Sequence, residues 1–334
     1  MPGFITWLET SAGRVPQVSS RLQFADHLGT WKVRWGIGRT TYLIPPGLYA
    51  IGRPDSESPV VVTANYKMSY DLVRNSLAGR DVWLLILETF GINVWCAAGK
   101  GTFGTNELVR RLQLTGLGKV VHHRTLLLPI LGAPGVAAHE VARQTGFRIR
   151  YAALRAKELP TYLDNGMNTT PAMRQLTFTL RERLALIPVD LVFSVRAQLP
   201  IFALLFIAGW LAGNLTTGMA AVVALLGAVI AGTAMTPLLL PWLPGASFAG
   251  KGLLTGLIWS GLWFLTAGRN LGWIAAGGTV LALTAISAFY ALKFTGSTPF
   301  TSPSGVRKEI RIALPMMAAA LFGAAVLWGW ALFA

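Results

Sequence analysis

Five apolar stretches, at roughly 199–217, 219–242, 250–267, 271–292 and 312–333, fill the C-terminal part of the chain. Each is close to the ~20 residues that cross ~30 Å of hydrocarbon as an α-helix. Such a chain cannot fold as one soluble globule. Composition agrees: 53% of the 334 residues are hydrophobic and 13% charged, against about 25% charged in soluble domains. The expected organisation has four parts: an N-terminal segment (1–58), an α/β domain (59–167), a juxtamembrane connector (168–197) and an all-α transmembrane domain of five helices (198–334).

Charge orients the spans. Beyond residue 197 the charged side chains are Lys251, Arg269, Lys293, Arg307, Lys308, Glu309 and Arg311. Most of these cations fall in the second and fourth loops, and Arg181, Arg183 and Arg196 precede the first span. The positive-inside bias then puts the N-terminal domain in the cytoplasm and the C-terminus outside, a multi-pass arrangement in the cytoplasmic membrane. Met1–Gln17 has no basic region leading into an apolar run, so it is not read as a signal peptide. No Asp, Glu or His lies inside an expected span, and small residues such as Gly227, Gly232 and Ala275–Gly278 suit close helix packing, so anchorage is favoured over ion transport. The chain's formal charge is +15, of which +10 sits before residue 198. The basic residues are scattered, which disfavours nucleic acid and leaves anionic lipid or an acidic protein as partners.

Residues 59–165 alternate strand and helix patterns. Strands are expected at Pro59–Thr63, Val82–Leu87, Ile92–Trp95, Thr125–Pro129 and Phe147–Tyr151. Helices are expected at Ser69–Leu77, Thr105–Leu114 (with Thr105 as cap), Val136–Gln144 and Ala156–Leu163. That rhythm implies a parallel, doubly wound, Rossmann-like sheet. Ligands of such sheets bind beyond the carboxyl ends of the strands, here Thr63-Ala64-Asn65, Trp95–Gly99, Leu131–Gly135 and Ala152-Ala153. The runs Trp31–Trp35 and Tyr42–Ile44 around Gly36 and Gly38 suggest a β-hairpin packed on this domain. The connector contains a strand-like run, Leu176–Leu180.

The only cysteine is Cys96. An internal disulfide and a cysteine-ligated iron–sulfur cluster are therefore excluded, and a lone thiol suits a reducing compartment. Cys96 is placed just past a strand and before a glycine-rich turn and helix, with Lys100 beside it, the electropositive setting of functional cysteines. The segment Gly99–Gly104 also fits G-x-G-x-x-G, but Gly118–Arg124 lacks the acidic ribose partner of dinucleotide sites. His27, His122, His123 and His139 have no ligand spacing and are read as structural or surface residues.

The octapeptide Asn93-Val94-Trp95-Cys96-Ala97-Ala98-Gly99-Lys100 resembles the signature of the HgcA family of mercury-methylating membrane corrinoid proteins. Val62–Lys67 and Leu128–Glu140 resemble the corrinoid domain of the corrinoid iron–sulfur protein family, and Phe294–Gly305 is similar to a loop of the HgcA family. The resemblance implies a Rossmann-like domain that binds a cobalt corrinoid (cobalamin or a related B12 derivative) on the strand ends. In it the octapeptide forms a short cap helix under the corrin, shaped by Asn93, Val94, Trp95, Ala97, Ala98, Gly99 and Lys100, and the Cys96 thiolate is the lower axial cobalt ligand. Thr63, Ala64, Asn65, Gly132, Ala133 and Gly135 are candidate corrinoid contacts by topology.

The implied activity is methyl transfer from cobalt to Hg(II), giving methylmercury. A thiolate is a soft donor that pushes electron density toward the upper methyl group, favouring its departure as a carbanion equivalent or radical. Implied partners are an HgcB-type 4Fe–4S ferredoxin as electron donor and a methyl-folate-type methyl donor. Two alternatives are a corrinoid methyl carrier with another natural acceptor, and a membrane-tethered nucleotide-binding sensor using the glycine-rich turn.

Overall fold

Val82–Leu87 and Val60–Ala64 are buried at every position. That is the signature of central strands covered on both faces. In the computed structural model, which describes residues 1–298, 300–331 and 333, they lie at the centre of a seven-stranded sheet. Its strands are β1 (Phe4–Thr10), β2 (Gly13–Val18), β3 (Gly47–Ile51), β4 (Val60–Ala64), β5 (Val82–Leu87), β6 (Thr125–Leu128) and β7 (Arg148–Tyr151), in the spatial order β1-β2-β3-β5-β4-β6-β7. β5, β4, β6 and β7 are mutually parallel. The expected all-parallel sheet is thus confined to four strands. β3 runs antiparallel to β5, and β1 and β2 form an antiparallel pair at the edge.

The helices of this unit are α1 (Phe24–Arg34), α2 (Lys67–Ser76), α3 (Val94–Lys100), α4 (Thr105–Thr115), α5 (Leu117–Val120), α6 (Ala138–Thr145) and α7 (Leu159–Asp164), with short 3-10 turns at Ile130–Gly135 and Ala156–Glu158. Two cores cover the sheet faces. Leu85, Leu87, Phe103, Leu108 and Val141 belong to one, and Tyr70, Leu77, Leu84, Ile86 and Tyr162 to the other.

Several expectations are corrected. The hairpin is Phe4–Val18, not residues 30–52. Trp31–Trp35 belongs to the end of α1 and the turn after it, because Asp26, Gly29 and Val33 share one inward helix face, and Gly36 and Gly38, at φ +73° and +64°, turn the chain after it. Ile92–Trp95 is not a strand. Gly91 adopts φ +70° and Asn93 caps a helix that begins at Val94. Thr105 is inside α4, whose N-cap is Gly104; the Thr105 hydroxyl instead accepts the Ala137 N–H at 2.8 Å. Leu176–Thr179 is irregular rather than strand, and the expected connector runs into one long helix.

A second unit follows, the division falling at Leu176/Thr177, with Arg34–Gly36 grouped with it. Its helices are α8 (Leu180–Ala212), α9 (Leu215–Ile230), continued through a π turn at Ala231–Met235 into α10 (Thr236–Leu239), α11 (Phe248–Thr266), α12 (Trp273–Lys293) and α13 (Pro303–Ala331). Among the described residues five helical segments are long and apolar enough to span a membrane: Leu180–Ala212, Leu215–Leu239, Phe248–Thr266, Trp273–Gly296 and Ser304–Ala331. α8 therefore absorbs the second half of the expected connector, with Glu182 and Thr179 forming a capping box at its start. Small residues set helix spacing here. A Cβ on Gly256 of α11 would lie 3.0 Å from the Thr284 Cα of α12. The segment between the last two expected spans holds more helix than expected, since helix resumes at Pro303; Pro299, Leu332 of the last expected span and Ala334 lie outside the described residues.

Candidate functional site

The four parallel strands create the site. In chain order they are β4, β5, β6 and β7, and in space β5-β4-β6-β7. The chain leaves β4 toward β5 on one side and leaves β6 toward β7 on the other, so a crevice opens beyond the carboxyl ends of β4 and β6, where open α/β sheets bind ligands. Three segments converge on this end of the sheet: Thr63–Asn65 at the end of β4, Glu88–Lys100 after β5, and the 3-10 turn Ile130–Gly135 after β6, against which α3 packs.

α3 has seven residues, too few to be stable alone. Its ends are fixed by side chain and turn. The Asn93 carboxamide oxygen accepts the Cys96 N–H at 2.9 Å, satisfying an orphan donor. Gly101, at φ +79°, closes the C-terminus and donates to the Ala98 carbonyl at 3.2 Å. The helix has two faces. Val94, Ala97 and Ala98 are buried against the domain, whereas Trp95, Cys96, Gly99 and Lys100 are exposed. Cys96, Gly99 and Lys100 fall at i, i+3 and i+4, hence on one face. Nothing lies within 4 Å of a Cβ placed on Gly99. The open face thus carries one thiol beside a residue without a side chain.

The inner face is tight by contrast. A Cβ on Gly135 would lie 3.0 Å from the Ala98 Cα and 3.1 Å from the Ala98 carbonyl oxygen, and inside contact distance of the Phe103 carbonyl oxygen. One on Gly132 would lie 2.5 Å from the Phe103 ring. Gly135 therefore lets the 3-10 turn touch Ala98 and Phe103 backbone to backbone, and Gly132 makes room for the Phe103 ring. Ala133 beside them is half-buried. Ala97 and Ala98 serve this inner packing, and Gly99 is the small residue on the Cys96 face.

Asn65 is fully buried and fastens the loop that leads to α3. Its side-chain oxygen accepts from the Thr89 N–H (3.0 Å), the Thr89 hydroxyl (2.9 Å) and the Gly91 N–H (3.3 Å), and its Nδ2 donates to Glu88 (2.6 Å). Glu88 in turn accepts the Phe90 N–H at 2.8 Å, and Glu107 accepts the Glu88 N–H at 2.9 Å while paired with Arg111 at 2.6 Å. Thr63 and Ala64 are likewise buried. The side chains of Thr63, Ala64 and Asn65 thus lie beneath the site.

The loop holds Phe90 at φ +55°, left-handed for a residue with a side chain, and two-thirds exposed (67%). Such strain persists only where surrounding bonds over-determine it. Phe90, Glu88 and Glu107 were not legible as site residues. The one local signal was the Phe90-Gly91 pair after a buried strand.

G-x-G-x-x-G does not describe the loop's geometry. Gly99 and Lys100 are helical, Gly101 ends α3 and Gly104 begins α4. The order is helix–turn–helix, without the strand that a nucleotide loop requires. Among the described residues no three His, Cys, Asp or Glu side chains cluster as a metal site. His122 meets Glu57 at 3.2 Å and His123 the Ser58 carbonyl at 2.9 Å, away from Cys96 in the fold.

Residues 39–161, which include the whole crevice, match the family model described as CO dehydrogenase/acetyl-CoA synthase delta subunit. Among curated proteins the chain is similar to the acetyl-CoA decarbonylase/synthase complex subunit gamma of Methanopyrus kandleri, 35% identical over 124 residues, covering 36% of this chain and 26% of that protein. It is also similar to the subunits of the same name from Methanothermobacter thermautotrophicus (30% over 128 residues; 38% and 28%) and Archaeoglobus fulgidus (29% over 128 residues; 38% and 27%). The chain spans only about a quarter of the length of these relatives.

Proposed function

We propose that the α/β unit binds a cobalt corrinoid over the open face of α3, that Cys96 is its lower axial ligand, and that the chain is a membrane-held corrinoid methyltransferase of the HgcA type acting on Hg(II). One observation carries this reading. The sole thiol of the chain stands exposed on a capped helix above the switch point of the sheet, beside a glycine that leaves the face open. The similarity of residues 39–161 to the delta-subunit family supports a corrinoid methyl-transfer role in general.

The residues fit the group. A single soft sulfur donor, with no second ligand cluster among the described residues, would suit a metal that the corrin ring already holds. When bound, the corrinoid supplies a methyl group held on cobalt, released toward the substrate Hg(II) as a carbanion equivalent. The chain's own residues tune and position. Cys96 would hold the metal through its sulfur and supply electron density to it. Asn93 fixes the turn on which Cys96 sits, and Gly99 lets a flat ring approach. Lys100 offers a cation to the polar edge of the ligand, and Trp95 and Phe90 present apolar surface beside it. Restoring the cofactor needs electrons that one cysteine cannot relay, so the reductant is external. An HgcB-type 4Fe–4S ferredoxin, drawn by the +10 charge of the first 197 residues, fits that need, and a methyl-folate-type compound is the proposed methyl donor. The N-terminal unit would then face the cytoplasm.

The test is methylmercury formation by membranes carrying the wild type or Cys96→Ala with the reductant partner supplied. Loss in the variant is expected, and undiminished product would overturn the proposal. A second reading, a methyl carrier with another natural acceptor, draws on the decarbonylase/synthase names of the relatives. Competition between Hg(II) and thiol acceptors for the methyl group separates the two.

A further inference from the structure

α1 is amphipathic in the inverse sense. Its inward face carries Asp26, Gly29 and Val33, and its outward face carries Phe24, Leu28 and Trp31, which are 81%, 43% and 69% exposed. The two sets lie on opposite sides of the helix at 3.6 residues per turn. A surface helix normally buries its apolar stripe and exposes its charge.

The inversion is enforced from within. Asp26 is buried and accepts from Lys67 at 2.6 Å and Arg74 at 2.7 Å; both cations also pair with Asp71, at 2.5 and 2.9 Å. Arg74 further donates to the Ser19 carbonyl at 2.6 Å. At Gly29 the Tyr42 ring packs against the helix backbone, its Cζ 2.7 Å from where a Cβ would stand. Turning α1 to bury Phe24, Leu28 and Trp31 would break this four-membered ion cluster. The aromatic stripe is therefore held outward at a cost the fold has no structural reason to bear alone.

We infer that this stripe is an interfacial membrane-docking face, seated among the headgroups of an anionic bilayer. Its chemistry is that of interfacial helices: Trp, Phe and Leu on one side, with polar and basic residues along its borders. Lys32 and His27 flank the stripe on either side and exposed Arg21 precedes it, so Lys32 and Arg21 would reach the lipid phosphates while the rings sit below them. The five apolar helices of the same chain keep a bilayer permanently at hand. The inference stands apart from the corrinoid reading, because it concerns a different face and needs no cofactor.

Cys96 is the only cysteine, so Cys96→Ala with Leu28→Cys gives the full chain one labelling position. An environment-sensitive fluorophore there is read in nanodiscs containing phosphatidylglycerol, with and without lipids brominated near the carbonyl end of the acyl chains. Phe24→Cys serves as an independent second position, and Gln144→Cys on α6 as the solvent reference. We expect blue-shifted emission at 28 and 24, quenched by the brominated lipid, solvent-like emission at 144, and loss of the quenching at 28 when Trp31→Asp is added. Solvent-like emission at 28 and 24 would overturn the inference. Blue-shifted emission that brominated lipid leaves unquenched would overturn it too, since the stripe would then be covered by protein.

Discussion

Gly135→Ala offers a graded test of how α3 is held. The added Cβ would stand 3.0 and 3.1 Å from Ala98 backbone atoms and closer still to the Phe103 carbonyl oxygen. All three obstacles are backbone, so no rotamer change relieves the clash. Either the 3-10 turn or α3 must shift. Overpacking of this kind costs about 1–3 kcal/mol, a factor of roughly 5–150 in an equilibrium constant. At roughly 2–4 °C per kcal/mol for a domain of this size, intrinsic-fluorescence melting should shift down by several degrees. Corrinoid affinity, read by titration in the still-folded sample, should fall at least about fivefold, because the displaced helix bears Cys96. Gly99→Ala is the counterpart. Its Cβ meets nothing, and alanine inside a helix is favoured over glycine by about 0.5–1 kcal/mol, so stability should hold or rise while corrinoid affinity falls. Wild-type melting and affinity in Gly135→Ala would refute the packing argument. Unchanged affinity in Gly99→Ala would show that the open face of α3 is not where the ring lies.

Three further outcomes are expected. Cys96→Ala should abolish methylmercury formation, whereas Cys96→His should retain corrinoid and methylate poorly, as product assays would show. Asn65→Ala removes the acceptor for the Thr89 and Gly91 N–H groups; at about 1–3 kcal/mol for each buried group left unsatisfied, hydrogen exchange across residues 88–98 should accelerate, with wild-type exchange there as the refuting result. Burial pushes the Asp26 carboxyl up, but hydrogen bonds from Lys67, the Gln23 N–H and Arg74 outweigh it and hold it at about 2, below the usual 3.8. Its stabilisation is therefore complete above about pH 4 and lost as pH falls toward 2, amounting to roughly 2 kcal/mol. Acid melting curves should flatten in Asp26→Asn, and parallel curves would count against the ion cluster.

The residues that announced their structure did so through long, uninterrupted patterns. β4 and β5 read as buried strands because they are apolar but for Thr63, and the apolar stretches read as spans because Lys251 is the one charged residue inside them. Short runs misled. Ile92–Trp95 is apolar but for Asn93 and partly β-branched, which suits a strand or a buried helix start equally, and Asn93 decides it by capping the helix. Trp31-x-Val33-x-Trp35 alternates as a strand would, yet the burial of Asp26 by Lys67 and Arg74, distant in sequence, fixes a helix. No local rule shows that Asn65 fastens a loop 24 residues away, or that Gly132 and Gly135 pack against Phe103 and Ala98. Cys96 was legible because one octapeptide carried it; its supports were not, because they come from three other segments.

The most direct test of cofactor and ligand together is an anaerobic absorbance spectrum of the detergent-purified chain after corrinoid reconstitution, wild type beside Cys96→Ala. A bound, base-off corrinoid is expected in the wild type, with bands that change when the thiol is removed. A folded wild-type protein that retains no corrinoid, or identical spectra from the two proteins, would contradict this expectation.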